Sequence, residues 1–258
     1  MITGVIFDLG DTLFRFTGSW PEVFEQGREA LVRALDTYGL PVDREEFHKQ
    51  WQSEMDLAFQ VRDEDHVERP TRDILPAVLE RFGYTAVEPS IIARVLQEMY
   101  AVSEAYWEID PDAVEVLEEM GRRYRLGVIS NAADDSNVQR MVDRAGLRRY
   151  FNPLLVSAAE GYRKPDRRLF WKVAEVWQAA PAELVMVGDT LTADILGAQQ
   201  AGLHQIWIST RADREDNLEA ADKIQPEFRV ERLAEVPAVV DGLDDRKGKA
   251  AASPSEGA

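Results

Sequence analysis

The chain has 258 residues, 45% hydrophobic and 30% charged, which suits a globular domain of enzyme size with a sizeable core. A formal charge of −17, offset by no long basic run, argues against nucleic-acid and membrane partners, because it repels phosphate backbones and anionic lipid. The absence of cysteine excludes disulfides, thiol catalysis and cysteine–metal sites, and no apolar run approaches the ~20 residues of a membrane span.

The first predicted element is a strand, "GVIF" (4–7), running directly into Asp8, Gly10, Asp11 and Thr12. The flanking "MITGVIFDL" lacks the basic segment and long apolar core of a secretory signal, which makes the cytoplasm the expected location. Four helical segments follow, at roughly 20–38, 43–61, 71–83 and 89–107, with Pro21, Pro41, Pro70 and Pro89 marking their starts or the turns before them. No convincing strand interrupts residues 17–107, so this block reads as an inserted helical cap.

After the cap the pattern changes. Short β-branched runs at 125–130, 153–157, 184–189 and 204–209 alternate with helix-period segments at 110–124, 134–147, 166–178 and 192–203. Strands that are apolar along their whole length, alternating with helices, predict a doubly wound parallel α/β sheet. The expected division is a core of residues 1–16 and 108–240, a cap of 17–107, and a small, polar, structureless tail at 241–258.

In an open parallel sheet, ligands bind beyond the carboxyl ends of the strands. Four groups fall there or in the following loops: Asp8 with Asp11, Ser130 with Asn131, Lys164 in "AAEGYRKPD", and Asp189 with Asp194 in "VMVGDTLTAD". Carboxylates from two strands can share a hard cation, for which Mg²⁺ is the natural choice. A hydroxyl, a lysine and backbone N–H groups can hold phosphoryl oxygens, and one carboxylate can attack phosphorus. His48, His66 and His204 stand alone without metal-ligand spacing and read as surface or packing residues. The cap aromatics, Trp107 among them, read as helix packing. Arg62, Arg69 and Arg72 lie near a cap loop, where the plain reading is solvated side chains and the alternative is contact with a substrate anion.

These motifs, above all "GDTLTADILGAQQAG" and "GYRKPDRRLF", resemble the haloacid dehalogenase superfamily, in the branch whose helical cap follows the first strand. The resemblance covers about residues 1–240. It implies Asp8 as nucleophile and metal ligand, the Gly10 carbonyl and Asp189 as further Mg²⁺ ligands, and Asp194 behind them or bound through water. Ser130, supported by Asn131, would hold a phosphoryl oxygen. Lys164 would offset charge, and Thr12 would hold the loop. The implied activity is hydrolysis of a small phosphorylated metabolite through an aspartyl-phosphate. Two other readings are a protein that binds a phosphorylated ligand or a partner without catalysis, and a 2-haloacid dehalogenase. The paired carboxylates Asp189 and Asp194 speak against the last. Whether the protein is a monomer or a homodimer is undetermined.

One position departs from the family pattern. Its phosphatases carry an aspartate two places after the nucleophile, as the acid that protonates the leaving group. Here that place is Gly10, and the aspartate comes one residue later as Asp11. Either Asp11 aims elsewhere, or the glycine lets the loop turn so that Asp11 substitutes. If the acid is missing, activated acyl or aryl phosphates would be favoured.

Overall fold

A computed structural model describes residues 1–251, with side chains described as far as Leu243. In chain order the principal elements are β1 (Gly4–Phe7), β2 (Phe14–Phe16), α1 (Trp20–Thr37), α2 (Arg44–Asp65), α3 (Thr71–Glu80), α4 (Pro89–Glu104) and β3 (Trp107–Ile109). There follow α5 (Ala113–Met120), β4 (Arg125–Ser130), α6 (Asp135–Arg144), β5 (Leu154–Val156), α7 (Ser157–Glu160), α8 (Arg167–Trp177) and β6 (Leu184–Gly188). The chain closes with α9 (Leu196–Ala201), β7 (His204–Ile208), α10 (Glu215–Ala220), β8 (Phe228–Val230) and α11 (Val236–Ala251).

Six strands form one parallel sheet in the order β5-β4-β1-β6-β7-β8. The period-2 geometry of a strand splits β1 between two cores. Val5 and Phe7 face one side, among Leu117, Val142 and Val236, while Ile6 faces the other, among Phe170, Val173 and Ala198. Burial on both faces is why these strands read as unbroken apolar runs. The chain leaves β1 toward β4 and β5, then returns to the opposite flank as β6. The carboxyl end of β1 is therefore the switch point, where an open sheet leaves a crevice.

The helical cap has its own core. Leu31 and Leu35 of α1, Phe47 and Trp51 of α2, Leu75 and Leu79 of α3, and Val95 and Leu96 of α4 pack together. Helix α2 begins where the Asp43 side chain accepts from the Glu46 amide at 2.9 Å, and it ends at His66 in the left-handed region (φ 56°).

Two short strands at the cap's root carry no sequence signal. β2 and β3 form an antiparallel ribbon in which Phe16 faces Trp107. Trp107 therefore belongs to a strand rather than to the last cap helix, because α4 already stops at Glu104. At the other end, α11 continues through 241–251, where composition predicts a structureless tail. Burial of Val236, Val240 and Leu243 against the sheet gives that segment a helical start. The rest of the predicted tail, 252–258, lies outside the described residues. No helix among the described residues is long and apolar enough to cross a membrane.

Candidate active site

Asp8 prolongs β1 by one residue, its amide donating to the Val187 carbonyl of β6 at 2.8 Å. Its buried carboxylate forms an ion pair with Lys164, whose ammonium also lies 2.7 Å from Asp194 Oδ1 and donates to the Ile129 carbonyl at 2.7 Å. Asp189 follows β6 directly. One carboxylate oxygen from each of Asp8, Asp189 and Asp194 can be chosen so that all three lie within 4.8 Å of one another. The carboxyl ends of β1 and β6 and the segment after β5 thus bring three acids and a lysine into one buried cluster.

The electrostatics follow from that burial. Desolvation raises Asp8 to about 6, aided by the Asp194 charge and opposed by Lys164. Asp189 is held well above the usual carboxylate range, first by burial, then by Asp8 and Asp194, with Arg214 opposing. Burial disfavours the Lys164 ammonium, yet Asp194 and Asp8 outweigh it and lift its pKa. Three carboxylates against Lys164 and Arg214, the latter shared with Asp216, are short of positive charge, and their donor atoms are all oxygen. That set fits a hard divalent cation.

Backbone geometry makes the cluster possible at one further point. Asp194 sits on a wide, π-type turn, Leu191–Ile195, and its carboxylate accepts from the Thr190 amide at 3.0 Å. A Cβ on Gly188 would come within 2.3 Å of that carboxylate, so only glycine lets β6 pass this closely.

Other expected residues take different places. Ser130 ends β4, buried and facing the cavity. Asn131 lines the same cavity. Its side chain clamps Lys164, accepting from the Lys164 amide at 2.8 Å and donating to the Lys164 carbonyl at 3.0 Å. Thr12 is buried, and its hydroxyl has no hydrogen-bond partner. The carboxylate of Asp11 is turned into a tie across the loop. With φ at 54°, Asp11 accepts from the Phe16 amide at 3.3 Å and from Arg211 at 2.9 Å.

Gly10 is bounded by Trp107. A Cβ at position 10 would meet the far edge of the indole at 3.1 Å. The ring is backed by Phe16 and Trp20, at centroid separations of 5.1 and 6.0 Å. An aromatic wall thus borders the place where the superfamily's phosphatases carry a carboxyl group.

Several site residues escaped sequence reading. Arg211 and Arg214 come from the loop after β7, where the strand-end rule that found Asp8 and Asp189 could have pointed. Arg214 lies 3.1 Å from Asp189 Oδ2. Asn217 donates to the carbonyls of Asp189 and Arg211, each at 2.9 Å, which anchors that loop. Arg62 and His66 of the cap line the same cavity, of about 1070 Å³, as does Arg163 of the core, whereas Arg69 and Arg72 do not.

Residues 2–202 match the family of haloacid dehalogenase-like hydrolases. A glyceraldehyde 3-phosphate phosphatase from Methanopyrus kandleri is 29% identical over 249 residues, covering 94% of this chain and 99% of its own. A ribulose-1,5-bisphosphate 5-phosphatase from Halopiger xanaduensis is 27% identical, covering 93% and 100%. Among solved structures, a 2-haloacid dehalogenase from Pseudomonas syringae pv. Tomato superposes with a TM-score of 0.65 at 26% identity, covering 94% of this chain and 99% of that one.

Proposed function

The chain belongs to the haloacid dehalogenase-like hydrolases, and from that premise we propose that it hydrolyses small phosphate monoesters with Asp8 as nucleophile. The observation that carries this reading is the buried set of Asp8, Asp189 and Asp194 around Lys164 at the switch point of the sheet. The phosphatase names of its relatives support it. Carbon–halogen hydrolysis needs an aspartate nucleophile and no metal, so the three clustered carboxylates favour phosphoryl transfer.

A carboxylate oxygen of Asp8 attacks phosphorus, the bond from phosphorus to the ester oxygen breaks, and the electron pair leaves on that oxygen, which takes its proton from solvent to become the alcohol. Water then attacks the same phosphorus, giving inorganic phosphate and the free Asp8 carboxylate, with its proton passing to solvent. Lys164 compensates charge at Asp8, and Asn131 fixes the backbone from which Lys164 reaches in. Ser130 donates to a phosphoryl oxygen. Asp8, the Gly10 carbonyl and Asp189 would hold Mg²⁺, with Asp194 behind them. Bound there, the ion supplies neutralisation of phosphoryl charge.

Position 10 offers no acid, and Asp11 is tied to Arg211 and Phe16. An alkoxide therefore leaves without a proton from this loop, and such help is worth about 10²–10⁴-fold. Acyl and aryl phosphates, whose leaving groups are stable anions, are favoured over alkyl phosphates. The test is phosphate release from an aryl phosphate with Mg²⁺ and with chelator, in wild type and Asp8→Asn. Release that depends on Mg²⁺ and vanishes in Asp8→Asn supports the reading, and comparable release by the variant overturns it.

A further inference from the structure

The cavity is lined by five cationic side chains, Arg62, Arg163, Lys164, Arg211 and Arg214. Three are matched to acids at close range. Lys164 meets Asp8 and Asp194, Arg211 meets Asp11, and Arg214 meets Asp189 and Asp216. The other two are not. Nε of Arg62 and Nη1 of Arg163 are buried without a hydrogen-bond partner. Their shared acid is Glu68, at only 4.0 and 3.8 Å, beyond hydrogen-bonding reach. Glu68 itself is satisfied elsewhere, accepting from the Ser157 hydroxyl at 2.6 Å and the Arg69 amide at 3.2 Å. Asp63, 3.7 Å from Arg62, is mostly exposed and is screened by solvent.

The two guanidiniums are brought together deliberately by backbone. Arg62 stands on the last turn of α2, and the chain that follows pairs with the loop leading to Lys164. The Arg163 amide donates to the His66 carbonyl at 3.0 Å, the Glu68 amide donates to the Gly161 carbonyl at 3.1 Å, and Val67 bridges Tyr162 in antiparallel fashion. This tie joins cap to core and sets like charges side by side. Burial and the Arg163 charge push the Arg62 guanidinium down to about 10 against the pull of Glu68 and Asp63, and the guanidinium lies 3.9 Å over the Phe59 ring. Two arginines for one already satisfied carboxylate leave surplus positive charge in a chain of net charge −17. That charge sits next in sequence to the lysine that touches the nucleophile.

We propose that Arg62 and Arg163 form a subsite for a second anionic group of the substrate, so that the preferred phosphate ester also carries a carboxylate or a second phosphate. The proposal rests on the phosphatase reading of the same cavity and adds the class of substrate. An incoming oxyanion meets the guanidinium edges of Arg62 and Arg163 that line the cavity and relieves the repulsion between the two cations. A pair whose only task is to neutralise Glu68 gives no such selectivity.

The test separates binding from turnover. Propylphosphonate, 3-phosphonopropionate and propane-1,3-bisphosphonate resist hydrolysis and differ in the far end, which is neutral, carboxylate or phosphonate. Their affinities are measured by calorimetry on wild type, Arg62→Gln and Arg163→Gln in Mg²⁺. At least one of the two probes with a charged far end is expected to bind roughly 10- to 100-fold more tightly than propylphosphonate, as a charge-assisted contact allows. Which probe gains identifies the second group. In each variant that ratio falls toward unity, and because it is a ratio, a general loss of folded protein does not move it. Equal affinities in wild type, no binding of any probe, or a ratio unchanged in both variants overturns the subsite. Discrimination among phosphonates in a protein that hydrolyses no phosphate ester leaves the subsite standing and overturns the phosphatase reading instead.

Discussion

Restoring the superfamily's aspartate at position 10 tests the aromatic wall directly. In Gly10→Asp the new Cβ lies 3.1 Å from Trp107, where ordinary contacts run from 3.4 to 4 Å, so the indole must retreat by a few tenths of an ångström. Its movement is resisted, because the ring packs against Phe16 and Trp20 and β3 is paired to β2. Overpacking of this kind costs about 1–3 kcal/mol. At about 2–4 °C per kcal/mol for a chain of this size, Tm falls by about 2–12 °C. The carboxyl is then displaced from the leaving oxygen, and the preference for aryl over alkyl phosphate shifts by a few-fold at most. Trp107→Phe removes the ring edge that makes the contact. The double variant Gly10→Asp/Trp107→Phe regains Tm relative to Gly10→Asp and raises kcat/KM for an alkyl phosphate by about 10²-fold or more, the size of a recovered general acid. Melting curves and kcat/KM for one alkyl and one aryl phosphate, across the four proteins of the cycle, provide the measurement. If Gly10→Asp alone gains the full increase with no loss of Tm, the indole does not govern this position and the argument fails.

Asp11→Ala should lower Tm by about 2–8 °C, since it removes two hydrogen bonds and places alanine in the left-handed region at a cost of about 1–2 kcal/mol. Its kcat/KM should fall less than about tenfold; a loss of ~10²-fold at unchanged Tm would make Asp11 the acid after all. Asn131→Ala, which frees both backbone groups of Lys164, should reduce kcat by about 10–100-fold with little change in KM, and a rise in KM at constant kcat would instead mark Asn131 as a substrate contact. Mg²⁺ at about 100 times its Kd should stabilise the protein by about 2.7 kcal/mol, a Tm rise of about 5–10 °C. Asp189→Ala should abolish that rise; an undiminished one would place the ion elsewhere.

What could be read from the sequence, and what could not, divides along a physical line. Asp8, Asp189 and Lys164 were legible because each sits where a buried run or its following loop ends, and strand burial is a local signal that carries its end residues with it. The sheet itself was legible for the same reason, as was the cap, whose apolar spacing is helical. Side-chain direction is not local. The Asn131 amide bonds a backbone 33 residues away, and Arg211 bonds an aspartate 200 residues away. Both contacts exist only after the sheet has assembled, and no spacing rule encodes them. The ribbon of β2 and β3 is three residues on each side, too short for any period to show, yet it carries Trp107 from the far end of the cap to the edge of Gly10. The glycine in "DLGD" reads in the sequence as a missing acid. In the folded chain it is also a vacancy that an aromatic ring borders. Glycine at position 10 and the indole beside it thus form one packing arrangement, which is why a single substitution at position 10 is expected to fail where the pair succeeds.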